Sequence, residues 1–134
     1  ELGYGGDFRD FMSLWCDNFE PDRKALAILR AVSRRLPTYL LSNTNRPHFE
    51  FMRAKYAFPK QVRGAVLSYE LGLRKPERAI YDAALALAGV PARNALFIDD
   101  LAANIDGARK AGLKALLFSG AETLRKELKS LGVL

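Results

Sequence analysis

Asn94-Ala95-Leu96-Phe97-Ile98-Asp99-Asp100-Leu101-Ala102-Ala103-Asn104 is the stretch that decides how this chain reads. A short apolar run, too brief for a helix, ends on two adjacent carboxylates. Neighbouring acids repel, and at the mouth of a buried strand they are tolerated where a cation or a lysine sits between them. Asp100 and Asn104 are four apart, so on a helix that follows they share a face. The pattern predicts a hard-metal site at the carboxyl end of a parallel strand, where open α/β sheets hold their ligands. A helix N-cap with a first-turn acid is the plainer reading. One acid would suffice for a cap, so the pair is read as functional.

The same logic extends in both directions. Pro37-Thr38-Tyr39-Leu40-Leu41 reads as a buried strand ending at Ser42-Asn43-Thr44-Asn45, and Asn45 before Arg46-Pro47 reads as an N-cap and first helical turn running to about Tyr56. Gly64-Ala65-Val66-Leu67-Ser68 is another apolar run of strand length. Gly72-Leu73-Arg74-Lys75-Pro76 is a loop, and the helix begun by Pro76 is stopped by Gly89. Helices are predicted over 22–35, 101–111 and 121–131, with a last strand over 114–118. From residue 22 onward helices and strands alternate, which predicts an α/β protein: a parallel sheet wrapped by helices. Residues 7–19 carry Phe8, Phe11, Met12, Leu14, Trp15 and Phe19 at a spacing that gives one broad helical face, outside the alternation.

The chain has 134 residues, nearly half of them apolar, and a formal charge of +6. That length suits one compact domain, and the apolar content excludes wholesale disorder. No stretch of about 18 apolar residues free of charge is present, so no membrane span is expected. The first residue is Glu1, with no charged-then-apolar leader; a processed chain, a fragment or a partial gene would each account for it. Cys16 is the sole cysteine, which excludes an intrachain disulfide and fits a reducing cytoplasm. It reads as a small core residue. The basic residues are spread (Arg34-Arg35, Arg74-Lys75, Arg109-Lys110, Arg125-Lys126) with no nucleic-acid-binding motif, so a solvated surface is preferred to nucleic-acid binding. A modest positive field also suits an anionic substrate. His48 stands alone and reads as a helix-surface residue.

In a parallel sheet the strands share a direction, so Ser42-Asn43, Lys75 and Asp99-Asp100 converge on one edge. Taken singly, Ser42 and Asn43 read as turn residues and Lys75 as an exposed lysine. Together they suit a phosphate ester. Hydroxyl, amide and strand-to-helix N–H groups donate to phosphate, a lysine holds its oxygens, and Mg²⁺ takes one or two carboxylates with waters and substrate oxygens.

Three segments, in order, resemble the haloacid dehalogenase-like (HAD) superfamily over residues 20–134. Leu40-Leu41-Ser42-Asn43-Thr44-Asn45 is similar to its second motif, Gly72–Tyr81 with Lys75 to its third, and Phe97–Ala108 with Asp99-Asp100 to its fourth. The wording is closest to the branch of glucose-1-phosphatase-type phosphatases and the phosphatase domain of soluble epoxide hydrolase. The resemblance implies a Rossmann-like parallel sheet with flanking helices over residues 21–134, and the end of a helical cap over residues 1–20. It implies that Ser42 and Asn43 bind a phosphoryl group and that Lys75 is catalytic, steadying that group and the nucleophile. Asp100 is then a Mg²⁺ ligand, with Asp99 close by as a water-mediated ligand and partner of Lys75. The implied substrate is a small phosphorylated metabolite, hydrolysed through an aspartyl-phosphate. The double acid favours metal-dependent phosphatases over dehalogenases, which share Ser42 and Lys75. The family's first motif, Asp-x-Asp after the central strand, has no match here. The expectation is therefore a truncated chain without its central first strand and inactive alone. The alternative is a non-catalytic pseudo-enzyme acting as a partner-binding module or a homodimer through exposed sheet edges.

Overall fold

The computed structural model describes Met12–Trp15 and residues 23–134. In chain order the elements are β1 (Met12–Trp15), α1 (Arg23–Ser33), β2 (Thr38–Ser42), α2 (Arg46–Lys55), β3 (Gly64–Leu67), α3 (Ser68–Leu71), α4 (Arg78–Ala88), β4 (Ala95–Asp99), α5 (Ala102–Lys110), β5 (Lys114–Leu117) and α6 (Ala121–Ser130). The strands make one sheet in the order β3-β2-β1-β4-β5, and every pairing is parallel. From α1 onward these are the elements that the alternation predicts, with ends moved slightly. The exception is α3: Ser68 opens a helical turn instead of closing β3.

Local chemistry explains several boundaries. The Asn45 side chain accepts from the His48 N–H at 2.9 Å, which caps α2, and Pro47 lies in its first turn. Gly89 ends α4 with φ 71°, a left-handed turn that glycine enters without a Cβ penalty. His48 lies exposed on α2.

β2 and β4 are buried along all five residues. Strands covered on both faces read as continuous apolar runs, and their alternate residues feed two separate layers. Leu40, Leu96 and Ile98 face α1, α2 and α6, where Ile28, Leu29, Val32, Phe49, Leu124 and Leu128 are buried. Tyr39, Leu41 and Phe97 face α4 and α5, against Ile80, Tyr81, Ala84, Ile105 and Ala108.

The centre of the sheet corrects one expectation. The central strand is not missing: Met12–Trp15 occupies that position, paired to β2 (Ser13 with Thr38, Trp15 with Leu40) and to β4 (Met12 with Ala95, Trp15 with Ile98). The helical face expected over 7–19 is thus a strand at 12–15. The remainder of that segment, with Cys16 and most of the expected cap remnant over 1–20, lies outside the described residues. The physical reason is backbone hydrogen bonding. Two buried strands without a neighbour between them would each present a row of unpaired N–H and C=O groups, and pairing them outweighs a local helical period. The inner edges of β2 and β4, on which the expectation of self-association rested, are paired. No helix among the described residues is long and apolar enough to cross a membrane.

One close approach fixes how α5 sits. A Cβ on Gly107 would stand 2.8 Å from both Cβ and the carbonyl oxygen of Pro76, and 3.1 Å from the Tyr81 hydroxyl. Gly107→Ala gains helix propensity but forces this contact apart. We expect a net loss of about 1–3 kcal/mol, read as a lower urea midpoint. A midpoint at or above that of the parent chain would show that the helix and the Lys75-Pro76 loop are not in contact.

Candidate active site

The parallel sheet brings the ends of β2 and β4 and the loop before α4 to one edge. Ser42 is fully buried at the end of β2, where it is level with Leu67 of β3. Asp99 ends β4 and is equally buried. Lys75 reaches it from the loop: its Nζ lies 2.9 Å from Asp99 Oδ2, and both side chains are 0% exposed. Such a pair is stable only where the other polar atoms are also served, and Asp99 meets that condition. Its Oδ2 also accepts from Asn104 Nδ2 at 3.2 Å, and its Oδ1 accepts from the Leu101 N–H at 2.9 Å. The Lys75 ammonium further lies 5.9 Å from the centre of the Phe97 ring, within reach of the ring's negative face.

These contacts exclude the plainer reading of the acid pair. α5 is capped by Leu101 without any side-chain bond, so neither acid is its N-cap. Asp99 instead anchors Lys75, as expected of it. Asp100 is partly exposed, and its carboxyl is held above the usual aspartate range. Burial is the largest cause, followed by the hydrogen bond to Asp99 and the charge of Asp99; its backbone hydrogen bond and Lys75 oppose them. The second acid is thus disfavoured as an anion unless a cation stands beside it.

Two residues do something other than the sequence suggests. Asn104 lies on α5, but Asp100 precedes that helix, so the two do not share its face, and the Asn104 amide turns to Asp99. The Asn43 amide, expected on phosphate, is engaged with the main chain of Lys75: its Oδ1 accepts from the Lys75 N–H at 2.8 Å, and its Nδ2 donates to the Lys75 carbonyl at 3.1 Å.

Two further residues escaped the sequence reading. Tyr81 entered only as the last residue of the segment similar to the third motif, with no role given, yet its buried hydroxyl donates to the Asn104 carbonyl at 2.8 Å. Burial and the Asp99 charge push its phenol well above the usual range, so it stays a neutral donor. Ser68 was read as the tail of a strand, yet its Oγ accepts from the Thr44 N–H at 2.9 Å and donates to the Thr44 carbonyl at 3.0 Å. A serine closing an apolar run, as Ser42 does, was the available signal.

No cluster of three or more His, Cys, Asp or Glu that could hold a metal occurs among the described residues. Both Asp99 oxygens already accept hydrogen bonds, and Asp100 is the second carboxylate of this edge among the described residues. A carboxylate beside a buried lysine–aspartate pair is a donor that would suit a hard cation such as Mg²⁺, which takes one or two carboxylates.

A parallel, helix-wrapped sheet whose polar groups collect at the carboxyl ends of its strands is a Rossmann-like α/β protein, with its candidate site where such sheets hold ligands. The chain belongs to the haloacid dehalogenase-like hydrolase family, whose model matches residues 8–112. Among solved structures it is similar to an uncharacterized protein from Corynebacterium glutamicum, at TM-score 0.74 and 23% identity over 92% of this chain and 96% of that one. It is also similar to a HAD family enzyme from Bacteroides thetaiotaomicron in complex with magnesium and inorganic phosphate, at TM-score 0.65 and 28% identity over 72% of this chain and 52% of that one. A curated relative, Drimenol cyclase drtB from Aspergillus calidoustus, is 27% identical over 96 residues, which is 72% of this chain and 18% of the cyclase. The chain therefore spans about half of the Bacteroides enzyme and under a fifth of the cyclase.

Proposed function

We propose that this chain carries the phosphate-holding part of a Mg²⁺-dependent phosphatase for small phosphate monoesters, sugar phosphates among them. The observation that supports this most directly is the buried Lys75–Asp99 pair beside Asp100 and Ser42 on one sheet edge. The Bacteroides enzyme, with magnesium and phosphate bound, supports the same chemistry by similarity.

In this reading the Ser42 hydroxyl and the Asn43 backbone N–H hold the phosphoryl oxygens. An ammonium has three donors; Asp99 takes one, which orients the others toward the transferring group and its growing charge. Asp100 would hold Mg²⁺, which neutralises phosphate charge when bound. Asp99 steadies Lys75 and raises the cation affinity of Asp100. The complete reaction runs through an aspartyl-phosphate that water then cleaves. No Asp-x-Asp occurs in these 134 residues. The chain alone is therefore expected not to hydrolyse p-nitrophenyl phosphate. Mg²⁺-dependent turnover that Asp100→Ala abolishes would overturn that expectation.

Mg²⁺ and pH provide the direct test of Asp100. A carboxyl whose folded pKa is raised contributes stability below the unfolded range and loses it as pH rises through the folded value. In EDTA at neutral pH, Asp100→Asn should therefore raise the urea midpoint, and the gain should vanish as pH falls into the ordinary aspartate range. Mg²⁺ should stabilise the parent chain by ligand linkage and leave Asp100→Asn unmoved. An equal Mg²⁺ response in both would remove Asp100 from the metal site.

A further inference from the structure

We infer that Asn43 is a positioning residue: its amide clamps the main chain of Lys75 and makes the loop after β2 and the lysine loop one rigid cradle. The inference rests on the phosphatase reading for its purpose, but on geometry for its existence. Asn43 and Lys75 are 32 residues apart, and the amide meets the same residue twice, at 2.8 Å through Oδ1 and 3.1 Å through Nδ2. Only one orientation of the amide makes both bonds; the flipped one would set donor against donor and acceptor against acceptor. The clamp uses the side-chain oxygen and one of the two Nδ2 hydrogens, so its donors beyond the clamp are the second Nδ2 hydrogen and the backbone N–H.

The surroundings show why a clamp is needed. Within the lysine loop the neighbouring bonds are local: the Arg74 N–H donates to Glu77 Oε1, and the Glu77 N–H donates to the Arg74 carbonyl. Lys75 is then held at two distant points, its peptide by Asn43 and its ammonium by Asp99. A second pair runs beside it, where Ser68 bonds both main-chain groups of Thr44. An anion seated beside Ser42 on the Asn43 N–H would thus be mechanically joined to the lysine that must meet it. A long flexible side chain fixed at both ends has its rotamer entropy removed before the ligand arrives.

The test is NMR on the whole chain, following the Lys75 backbone N–H by hydrogen exchange and the Lys75 ammonium by its own ¹⁵N signal. Asn43→Ala should speed Lys75 N–H exchange by about tenfold and shift the ammonium signal. Ser68→Ala, which loosens the neighbouring pair alone, should leave both signals in place. Asn43→Asp is the second variant, in case alanine does not fold: it keeps the acceptor for the Lys75 N–H and sets an oxygen against the Lys75 carbonyl. It should retain N–H protection while the ammonium signal moves. Inorganic phosphate with Mg²⁺ should shift the 42–44 amides and the Lys75 ammonium with one midpoint in the parent chain, and the two should part in Asn43→Ala. Lys75 signals unchanged in Asn43→Ala would overturn the clamp, as would loss of phosphate binding with Lys75 unmoved, which would make Asn43 a direct ligand. Absence of any phosphate response in the parent chain would instead sink the phosphatase reading, and the exchange data would still decide the clamp.

Discussion

Lys75→Met is expected to destabilise the chain by about 3–5 kcal/mol, because it strands a buried charge. Asp99 is fully buried, and among the described residues the Lys75 ammonium at 2.9 Å is the cation at hydrogen-bond distance from it. The Asn104 amide and the Leu101 N–H remain, but two neutral donors do not replace a cation. The pair as a whole is worth far less than this, since bringing both charges out of water offsets most of their attraction. The double variant Lys75→Met/Asp99→Leu should therefore recover most of the loss. Urea unfolding of the two singles and the double gives the cycle. A single-variant loss below about 1 kcal/mol would mean that water reaches the pair and that the edge is open.

The second large effect is expected at Phe97. Its ring is wholly buried in β4, meets the Tyr81 ring edge-to-face with centroids 5.4 Å apart at 87°, and lies beneath the Lys75 ammonium. Phe97→Ala removes a large apolar surface and leaves a cavity bounded by the sheet and α4, costing about 3–5 kcal/mol. Leu87→Ala makes a fair comparison: Leu87 is 54% exposed, and its loss should stay within about 0.5 kcal/mol. Denaturant midpoints for the two decide the matter, and similar losses would contradict the burial. Because the same ring backs Tyr81 and Lys75, Phe97→Ala should also broaden the Lys75 ammonium signal, tying a core residue to the site.

The candidate site was legible in part. Ser42, Lys75 and the acid pair could be placed on one edge because strand direction follows from the alternation, and each polar residue falls just after its strand or in the loop beyond it. The Lys75–Asp99 partnership followed from the family resemblance. The roles of Asn43 and Asn104 were not legible. An amide on a strand-to-helix turn can serve a ligand, a cap or a distant peptide, and its own neighbours do not say which. Tyr81 was hidden by its apolar ring, which fits a helical stripe whether or not its hydroxyl has work to do.

The sequence by itself determined the helix–strand alternation, the buried character of Tyr39–Leu41 and Leu96–Ile98, the Asn45 cap and the convergence of polar groups. All of these depend on periodicity and turn chemistry within a few residues. Tertiary structure decided what depends on groups far apart in the chain. It made a strand of Met12–Trp15 although the local spacing is helical, because the backbones of β2 and β4 both needed a partner there. It turned Asn43 to a peptide 32 residues away. It placed Tyr81 against the main chain of the helix whose Asn104 holds Asp99. Buried hydrogen-bonding groups must find partners wherever the fold brings them, and no local pattern encodes where that is.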